Sequence, residues 1–156
     1  MISERRFSAL LAMIYEAAGD FARWPEALSE MAHAYHAPTL VFSSVAPDNS
    51  VLWQIAPGVD ASFIDRYIGY YHRINPIIQV ALPSRVGSVL TDEMMIDKRA
   101  FVRTEFYNDF LKPLELGSML GATVHSEGGE HIVVAVQRRR RFGTALFLAH
   151  TCHRHT

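Results

Sequence analysis

The sequence lacks the features that mark secreted, membrane-spanning and disulfide-stabilised proteins. It has a single cysteine, Cys152, among its 156 residues, so no disulfide can form within the chain. Such sparing use of cysteine fits a reducing compartment. No apolar run reaches the ~18–20 residues that cross a bilayer. A secretory signal is also absent, because the acidic residues Glu4 and Glu16 interrupt the first segment. We therefore expect a cytoplasmic protein that makes no contact with a membrane.

Motifs of the common enzyme classes are absent as well. Ser43 and Ser44 lack the glycine frame of a nucleophile elbow, and no Gly-x-Ser-x-Gly occurs elsewhere. There is no Gly-Lys-Ser/Thr of a phosphate-binding loop, and no dinucleotide fingerprint follows the first predicted strand. The histidines His72, His125 and His131 lie in different predicted elements. We therefore predict no catalytic residues, no cofactor and no enzymatic activity.

What the chain does have is the composition of one globular domain. Its length is close to that of a typical domain, and 49% hydrophobic with 20% charged residues excludes wholesale disorder. The formal net charge of −1 conceals an uneven distribution. Residues 1–129 hold ten basic and fifteen acidic residues, whereas residues 130–156 hold five arginines and one acid. The acidic body argues against direct binding of nucleic acid by this chain.

The basic end carries two groups of chemically active side chains. Arg138 to Arg141 follow one another in the sequence. Because a strand turns alternate side chains to opposite faces, we expect a charged edge rather than a phosphate-binding cluster. Four potential metal ligands crowd the tail, but a zinc tetrahedron needs ligand pairs separated by a loop. We therefore expect a solvated tail and no metal site at these four residues: His150, Cys152, His153 and His155.

Hydrophobic periodicity predicts an alternation of helices and strands. Helices are expected around residues 10–18, 24–35, 63–71, 77–82 and 101–110, with a further helical turn at 144–149. Strands are expected at 39–45, 51–55, 86–90, 116–126 and 131–138, and the turns at 47–50 and 127–130 form two hairpins. Residues 132–136 are apolar on both faces, which indicates a central strand covered on both sides. The pattern predicts an α+β fold with a central five-stranded antiparallel sheet flanked by helices on both faces.

This element order resembles the PAS/GAF-like sensor fold, and three stretches carry a more specific resemblance. Residues 67–78 (YIGYYHRINPII) resemble the segment before the Asp-Pro motif of autoinducer-binding domains in LuxR-type transcription factors. Residues 105–121 (EFYNDFLKPLELGSMLG) are similar to sensor regions of bacterial LuxR-family helix-turn-helix regulators, as is the opening from residue 14 to residue 25. The resemblance implies a sensor domain over residues 8–141, followed by an atypical tail at 142–156.

The resemblance also marks where this sequence departs from the family. Quorum-sensing members show Trp-x3-Tyr-x8-Asp-Pro, whereas this chain reads Phe63-x3-Tyr67-x7-Asn75-Pro76. An asparagine accepts a hydrogen bond through its carbonyl oxygen without carrying a charge. The resemblance therefore implies an unidentified neutral amide or other polar ligand. The apolar stripes of the N-terminal helices predict a homodimer built on these helices, with Ile14 and Trp24 as candidate contacts. DNA would be reached only through a helix-turn-helix module that this sequence does not contain.

The expected ligand site is a cavity between the sheet and one helical layer. The aromatic side chains would supply its walls, and tyrosine hydroxyls with Asn75 would orient a ligand. The predicted ligand-binding residues are Phe42, Ser44, Trp53, Phe63, Tyr67, Tyr71, Asn75 and Met119. The alternative is an interaction module whose aromatic residues form a filled core and which acts only by dimerising or docking. A cavity of ~300 Å³ or more behind Tyr67 and Trp53 would favour sensing, and close packing would favour the alternative.

Overall fold

The N-terminal part of the molecule is a pair of helices. In the computed structural model, residues 2–139 are described. Helix α1 spans Glu4–Gly19 and begins at Ser3, whose side chain accepts a hydrogen bond from the Arg6 amide. A 3₁₀ turn at Phe21–Arg23 leads into α2, Trp24–Ala34, with its proline in the first turn. Both predicted helices are confirmed, and the two pack against each other.

A five-stranded antiparallel sheet forms the centre of the molecule. Its strands are β1, Thr39–Val45; β2, Val51–Ile55; β3, Val89–Thr91; β4, Leu116–Glu127; and β5, Glu130–Arg139. The spatial order is β2-β1-β5-β4-β3, and each neighbouring pair is antiparallel. The strand with apolar residues on both faces, β5, is therefore central, as the sequence predicts. The predicted α+β fold with a five-stranded antiparallel sheet is confirmed.

Strand β3 differs from its prediction. It was expected at residues 86–90, but it begins only at Val89. Gly87 has a φ of 85°, and the Ser88 amide donates to the Arg85 carbonyl oxygen at 2.9 Å, so the chain turns there instead of extending. The strand is correspondingly short, with three residues paired to β4.

The layer between β2 and β4 is built of short helical pieces, which cover the predicted helix at 63–71 and all but the last residue of the one at 77–82. They comprise α3, Ala61–Arg66; α4, His72–Ile74; α5, Pro76–Ala81; α6, Asp92–Met95; and α7, Lys98–Phe101. Two π-helical turns complete the layer: the first π turn, Tyr67–Tyr71, continues α3, and the second π turn, Phe106–Leu111, precedes β4. The helix predicted around 101–110 is thus divided between α7 and the second π turn.

The two faces of the sheet pack against different helices. Strand β1 shows the division: Leu40 and Phe42 lie on the face that packs against α2, whereas Thr39, Val41 and Ser43 lie on the face below the short helices. On the first face, Leu28 and Val136 belong to the same cluster as Leu40. On the second face, the core is rich in aromatic side chains: Tyr71, Phe101, Phe106, Tyr107 and Phe110.

The first two arginines of the basic run point in opposite directions. Arg138 is buried, and its guanidinium donates to the Tyr35 carbonyl oxygen at the end of α2, at 3.0 Å. Burial lowers the pKa of the Arg138 guanidinium. Arg139 lies 3.7 Å from the Glu115 carboxylate on the other side. Arg140, Arg141, the tail at 142–156 and the helical turn predicted at 144–149 lie outside the described residues. Within residues 2–139, no helix is long and apolar enough to cross a membrane.

Candidate functional site

A cavity lies between the sheet and the layer of short helices. It has a volume of about 100 Å³, is partly open to solvent, and is mostly apolar. Among the described residues, no charged side chain lines it. The sheet forms its floor with Val41, Ser43, Gln54, Met119, Gly121, Val133, Ala135 and Gln137. The helical layer forms its roof with Phe63, Tyr67, Asn75, Ile77, Phe106 and Phe110.

The two π turns build the aromatic roof. The Phe106 and Phe110 rings of the second turn are stacked, with centroids 5.5 Å apart. The ring centroids of Tyr67 and Tyr71, both in the first turn, lie 5.5 Å and 4.9 Å from the centroid of the Phe110 ring. A π turn adds one residue to a helical turn and is common at functional sites. Here the two turns bring aromatic rings from separate segments into one layer.

Tyr67 and Asn75 form the polar part of the roof. Asn75 is buried; its Oδ1 accepts a hydrogen bond from the Ile77 amide at 3.0 Å and so begins α5. Its Nδ2 donates to the Tyr67 hydroxyl oxygen, also at 3.0 Å. Burial raises the pKa of the Tyr67 phenol, although the hydrogen bond from Asn75 acts in the opposite direction. The Tyr67 hydroxyl therefore stays protonated at neutral pH. Within residues 2–139 it donates no hydrogen bond, so its O–H group is free to donate to a ligand.

Four of the predicted site residues line this cavity: Phe63, Tyr67, Asn75 and Met119. Tyr71 does not line the cavity but packs against Phe110, and its hydroxyl accepts a hydrogen bond from Arg66 at 3.0 Å. The structure therefore brings the helix residues of the prediction together with Met119 of β4.

The structure places the remaining three, Phe42, Ser44 and Trp53, on the opposite face of the sheet. Phe42 packs against Trp24 of α2 at 4.6 Å and against Trp53 at 5.1 Å between ring centroids. Ser44 donates a hydrogen bond to the Glu130 carboxylate. The expectation that these three share one cavity with Tyr67 is therefore not met, because β1 and β2 turn them towards α2.

The residues that sequence reasoning missed are their neighbours on the cavity face. Val41 and Ser43 alternate with Phe42 on β1, and Gln54 follows Trp53 on β2. Strand alternation separates the two sets but does not say which set faces a cavity. Phe106 and Phe110 belong to residues 105–121, the stretch that resembles LuxR-family sensor regions. That resemblance was a signal by which these two residues could have been predicted.

The volume of the cavity lies between the value expected for a ligand sensor and the close packing expected for an interaction module. Ligand pockets usually have ~300–1,000 Å³, whereas a single buried water needs only ~10–15 Å³ of comparable space. At about 100 Å³, the interior is neither filled to normal density nor as large as a formed pocket for a drug-sized molecule. A small group fits this volume as it stands.

Comparison with known proteins identifies the architecture. No protein-family model and no curated protein matches the chain. Among solved structures, the ligand-binding domain of VqsR from Pseudomonas aeruginosa matches with a TM-score of 0.67 and 20% identity, over 92% of this chain and 88% of that one. The N-acylhomoserine lactone-dependent LuxR-family transcription factor CepR2 from Burkholderia cenocepacia matches with a TM-score of 0.56 and 15% identity, over 92% and 86%. The chain therefore shares the fold of the VqsR ligand-binding domain and of CepR2 over most of its length.

Proposed function

We propose that this chain is the small-molecule sensor domain of a LuxR-type transcription regulator, and that it binds a neutral, largely apolar ligand between the sheet and the short helices. The observation that carries the proposal is a mostly apolar cavity in which Tyr67 and Asn75 present uncharged hydrogen-bonding groups. The fold shared with a ligand-binding domain and with a lactone-dependent regulator supports it. The proposed sensor unit is residues 8–141.

Binding would act by favouring one packing of the roof on the floor. The roof consists of helices of three to six residues and two π turns, which are held to the sheet mainly by side-chain packing. A ligand that binds the open arrangement better than the closed one shifts the equilibrium by its difference in affinity. We propose that this shift is passed, in the cytoplasm, to a dimer interface or to an attached DNA-binding module.

A thermal denaturation series that compares neutral ligands with a charged one tests the sensor function. N-octanoyl-homoserine lactone, its ring-opened carboxylate and a set of neutral amides are each titrated to millimolar concentration. At least one neutral ligand should raise Tm in a concentration-dependent way, because a ligand that binds only the folded state stabilises it. The ring-opened acid should not, since no cation lines the cavity to pair with its carboxylate. The absence of any shift from every neutral ligand would count against a sensor.

The second candidate, a dimerisation module without a ligand, is favoured by the surface of α1. Phe7, Leu11 and Tyr15 are spaced four residues apart on one side of the helix, with 54%, 39% and 77% of their surface exposed. Trp24 and Ile14 are the two dimer contacts expected from the sequence. Within one copy of the chain, Trp24 already packs against Phe42 and Ile14 is already half-buried. The exposed stripe, rather than these two residues, is the surface that a second copy would cover.

Sedimentation separates a constitutive dimer from a ligand-dependent one. The wild-type chain is measured at micromolar concentration with and without the best stabilising ligand, beside Tyr15→Glu and the control Met94→Glu, which alters an exposed apolar residue of α6. A dimer that persists without ligand and is lost only in Tyr15→Glu supports the module. A monomer under all conditions contradicts both modes of dimerisation.

A further inference from the structure

Three polar side chains on the floor of the cavity have no partner among residues 2–139. They are Ser43 on β1, Gln54 on β2 and Gln137 on β5, and no hydrogen bond within that part of the chain involves their side chains. Ser43 is buried and the two glutamines are half-buried. Their neighbour Thr39 differs, because its hydroxyl donates to the Pro57 carbonyl oxygen at 2.8 Å. Polar groups in such places are normally hydrogen-bonded, so the floor has unused hydrogen-bonding capacity.

Strand register divides this capacity between two ends of the floor. Ser43 pairs directly with Gln54 across β1 and β2, so these two form one end. Gln137 pairs with Thr39 across β5 and β1, and it forms the other end. Thr39 and Ser43 are four residues apart on the same strand, which separates the ends by about 13 Å of backbone.

The floor between the two ends is apolar, and its side chains are short. Gly121 of β4 pairs directly with Ala135 of β5, which in turn pairs with Val41 of β1. These three residues carry small or short side chains and belong to the lining of the cavity. The floor is therefore a shallow apolar channel with uncharged donors and acceptors at both ends.

We propose that the floor is a two-ended recognition site for a neutral ligand with an apolar middle and a hydroxyl or amide group at each end. The inference rests on the proposed function and adds the chemistry of its ligand. A glutamine amide both donates and accepts, as a hydroxyl does, so each end can satisfy a group of this kind. A ligand with one polar end leaves the other end unpaired, and a site of this type discriminates against such an analogue.

Two six-carbon probes that differ only at one end test this directly. Hexane-1,6-diol and hexan-1-ol are titrated into the full ¹⁵N-labelled chain, and their dissociation constants are read from the side-chain amide signals of the glutamines. The diol should bind about three- to tenfold more tightly, as expected for one additional hydrogen bond. In Gln137→Leu, and separately in Gln54→Leu, this ratio should fall to about one while hexan-1-ol still binds. The control Gln79→Leu, on the exposed side of α5, should keep the wild-type ratio.

Each outcome decides something. Equal binding of the two alcohols to the wild-type chain overturns the two-ended site and leaves the sensor function standing. Binding of neither probe, together with no thermal shift from any neutral ligand, overturns both. A wild-type ratio that persists in Gln137→Leu and Gln54→Leu overturns the assignment of the ends. If a leucine variant does not fold, Gln137→Met and Gln54→Met, which keep an unbranched side chain, give the same comparison.

Discussion

Asn75 links the cavity to the start of a helix through two hydrogen bonds. Its Oδ1 caps α5 by accepting from the Ile77 amide, and its Nδ2 holds the Tyr67 hydroxyl. Asn75→Ala removes both, and the free energy of unfolding should fall by about 1–3 kcal/mol, as measured by urea denaturation at pH 7. Asn75→Asp should lose less, because a carboxylate still accepts from the amide and takes a hydrogen bond from Tyr67.

A cap at the surface serves as the control for that measurement. Asp97 begins α7 by accepting a hydrogen bond from the Arg99 amide at 3.0 Å, and its side chain is exposed. Asp97→Ala should cost only the ~1 kcal/mol of a typical cap. If Asn75→Ala costs no more than Asp97→Ala, the hydrogen bond to Tyr67 contributes nothing measurable to stability.

Tyr67 gives the protein a dependence on alkaline pH. Burial raises the pKa of its phenol above the usual value of about 10. A raised pKa in the folded state means that the stabilisation is complete below pH ~10 and is lost as pH rises towards the folded-state pKa. The free energy of unfolding should therefore fall as the pH rises above about 10, and the fall should be shallower in Tyr67→Phe.

A second tyrosine, Tyr70, contributes to the same pH dependence. The hydrogen bond from Tyr70 to Glu105 also raises the pKa of the Tyr70 phenol, so the slope left in Tyr67→Phe belongs in part to Tyr70. Identical slopes for Tyr67→Phe and the wild-type chain would show that the Tyr67 phenol is not buried in solution.

At the scale of the element, β1 shows what a strand pattern can and cannot predict. Its bounds, residues 39–45, follow from the sequence because β-prone residues end at a proline and a cluster of turn formers. Its cavity face does not follow, since both faces are buried and alternation alone is symmetric. The aromatic Phe42, predicted to line the cavity, lies on the face that packs against α2. Large rings fill space, so a cavity arises above small neighbours such as Ser43.

The two π turns show a different limit of sequence reasoning. Apolar spacing of three and four residues predicts a helix over 63–71, and α3 with the first π turn does cover that stretch. The pattern cannot reveal that the backbone hydrogen bonds join residues five apart instead of four. The same side chains remain on one side of the segment in both cases. The sequence could therefore predict which residues of the first π turn share one side, but not the π-helical backbone that positions them.

The hairpin between β4 and β5 depends on two glycines with different surroundings. Gly128 has a φ of 58° and open space around it, whereas a Cβ on Gly129, at φ 83°, would lie 2.9 Å from Pro47 Cγ. Gly128→Ala should cost about 1–2 kcal/mol of unfolding free energy for its left-handed backbone. Gly129→Ala should cost clearly more, because the methyl group also displaces the β1–β2 turn. Adding Pro47→Ala to Gly129→Ala should recover that excess; no recovery would place the cost in the backbone alone.

At the scale of the whole molecule, we expect that filling the cavity raises the stability of the protein and lowers its affinity for a ligand. Gly121 lies on the cavity floor in an ordinary strand conformation, and an added Cβ would meet its nearest atom, the Val134 carbonyl oxygen, at 3.4 Å. Gly121→Ala should raise the free energy of unfolding of the unliganded chain by about 0.4–1 kcal/mol, since it restricts the unfolded chain and its methyl group reaches ordinary van der Waals contact with Met119 and Ala135. The same methyl group should weaken the binding of hexan-1-ol, because it occupies the middle of the floor.

Gly19→Ala at the end of α1 is the matched control, because no atom lies within 4 Å of its added Cβ. It should stabilise the chain by about as much, through helix propensity, while leaving the dissociation constant of hexan-1-ol unchanged. Stability and affinity would then change together only at the cavity. If Gly121→Ala binds hexan-1-ol as well as Gly19→Ala does, the alcohol binds elsewhere, and the space between sheet and helices is a packing defect rather than a ligand site.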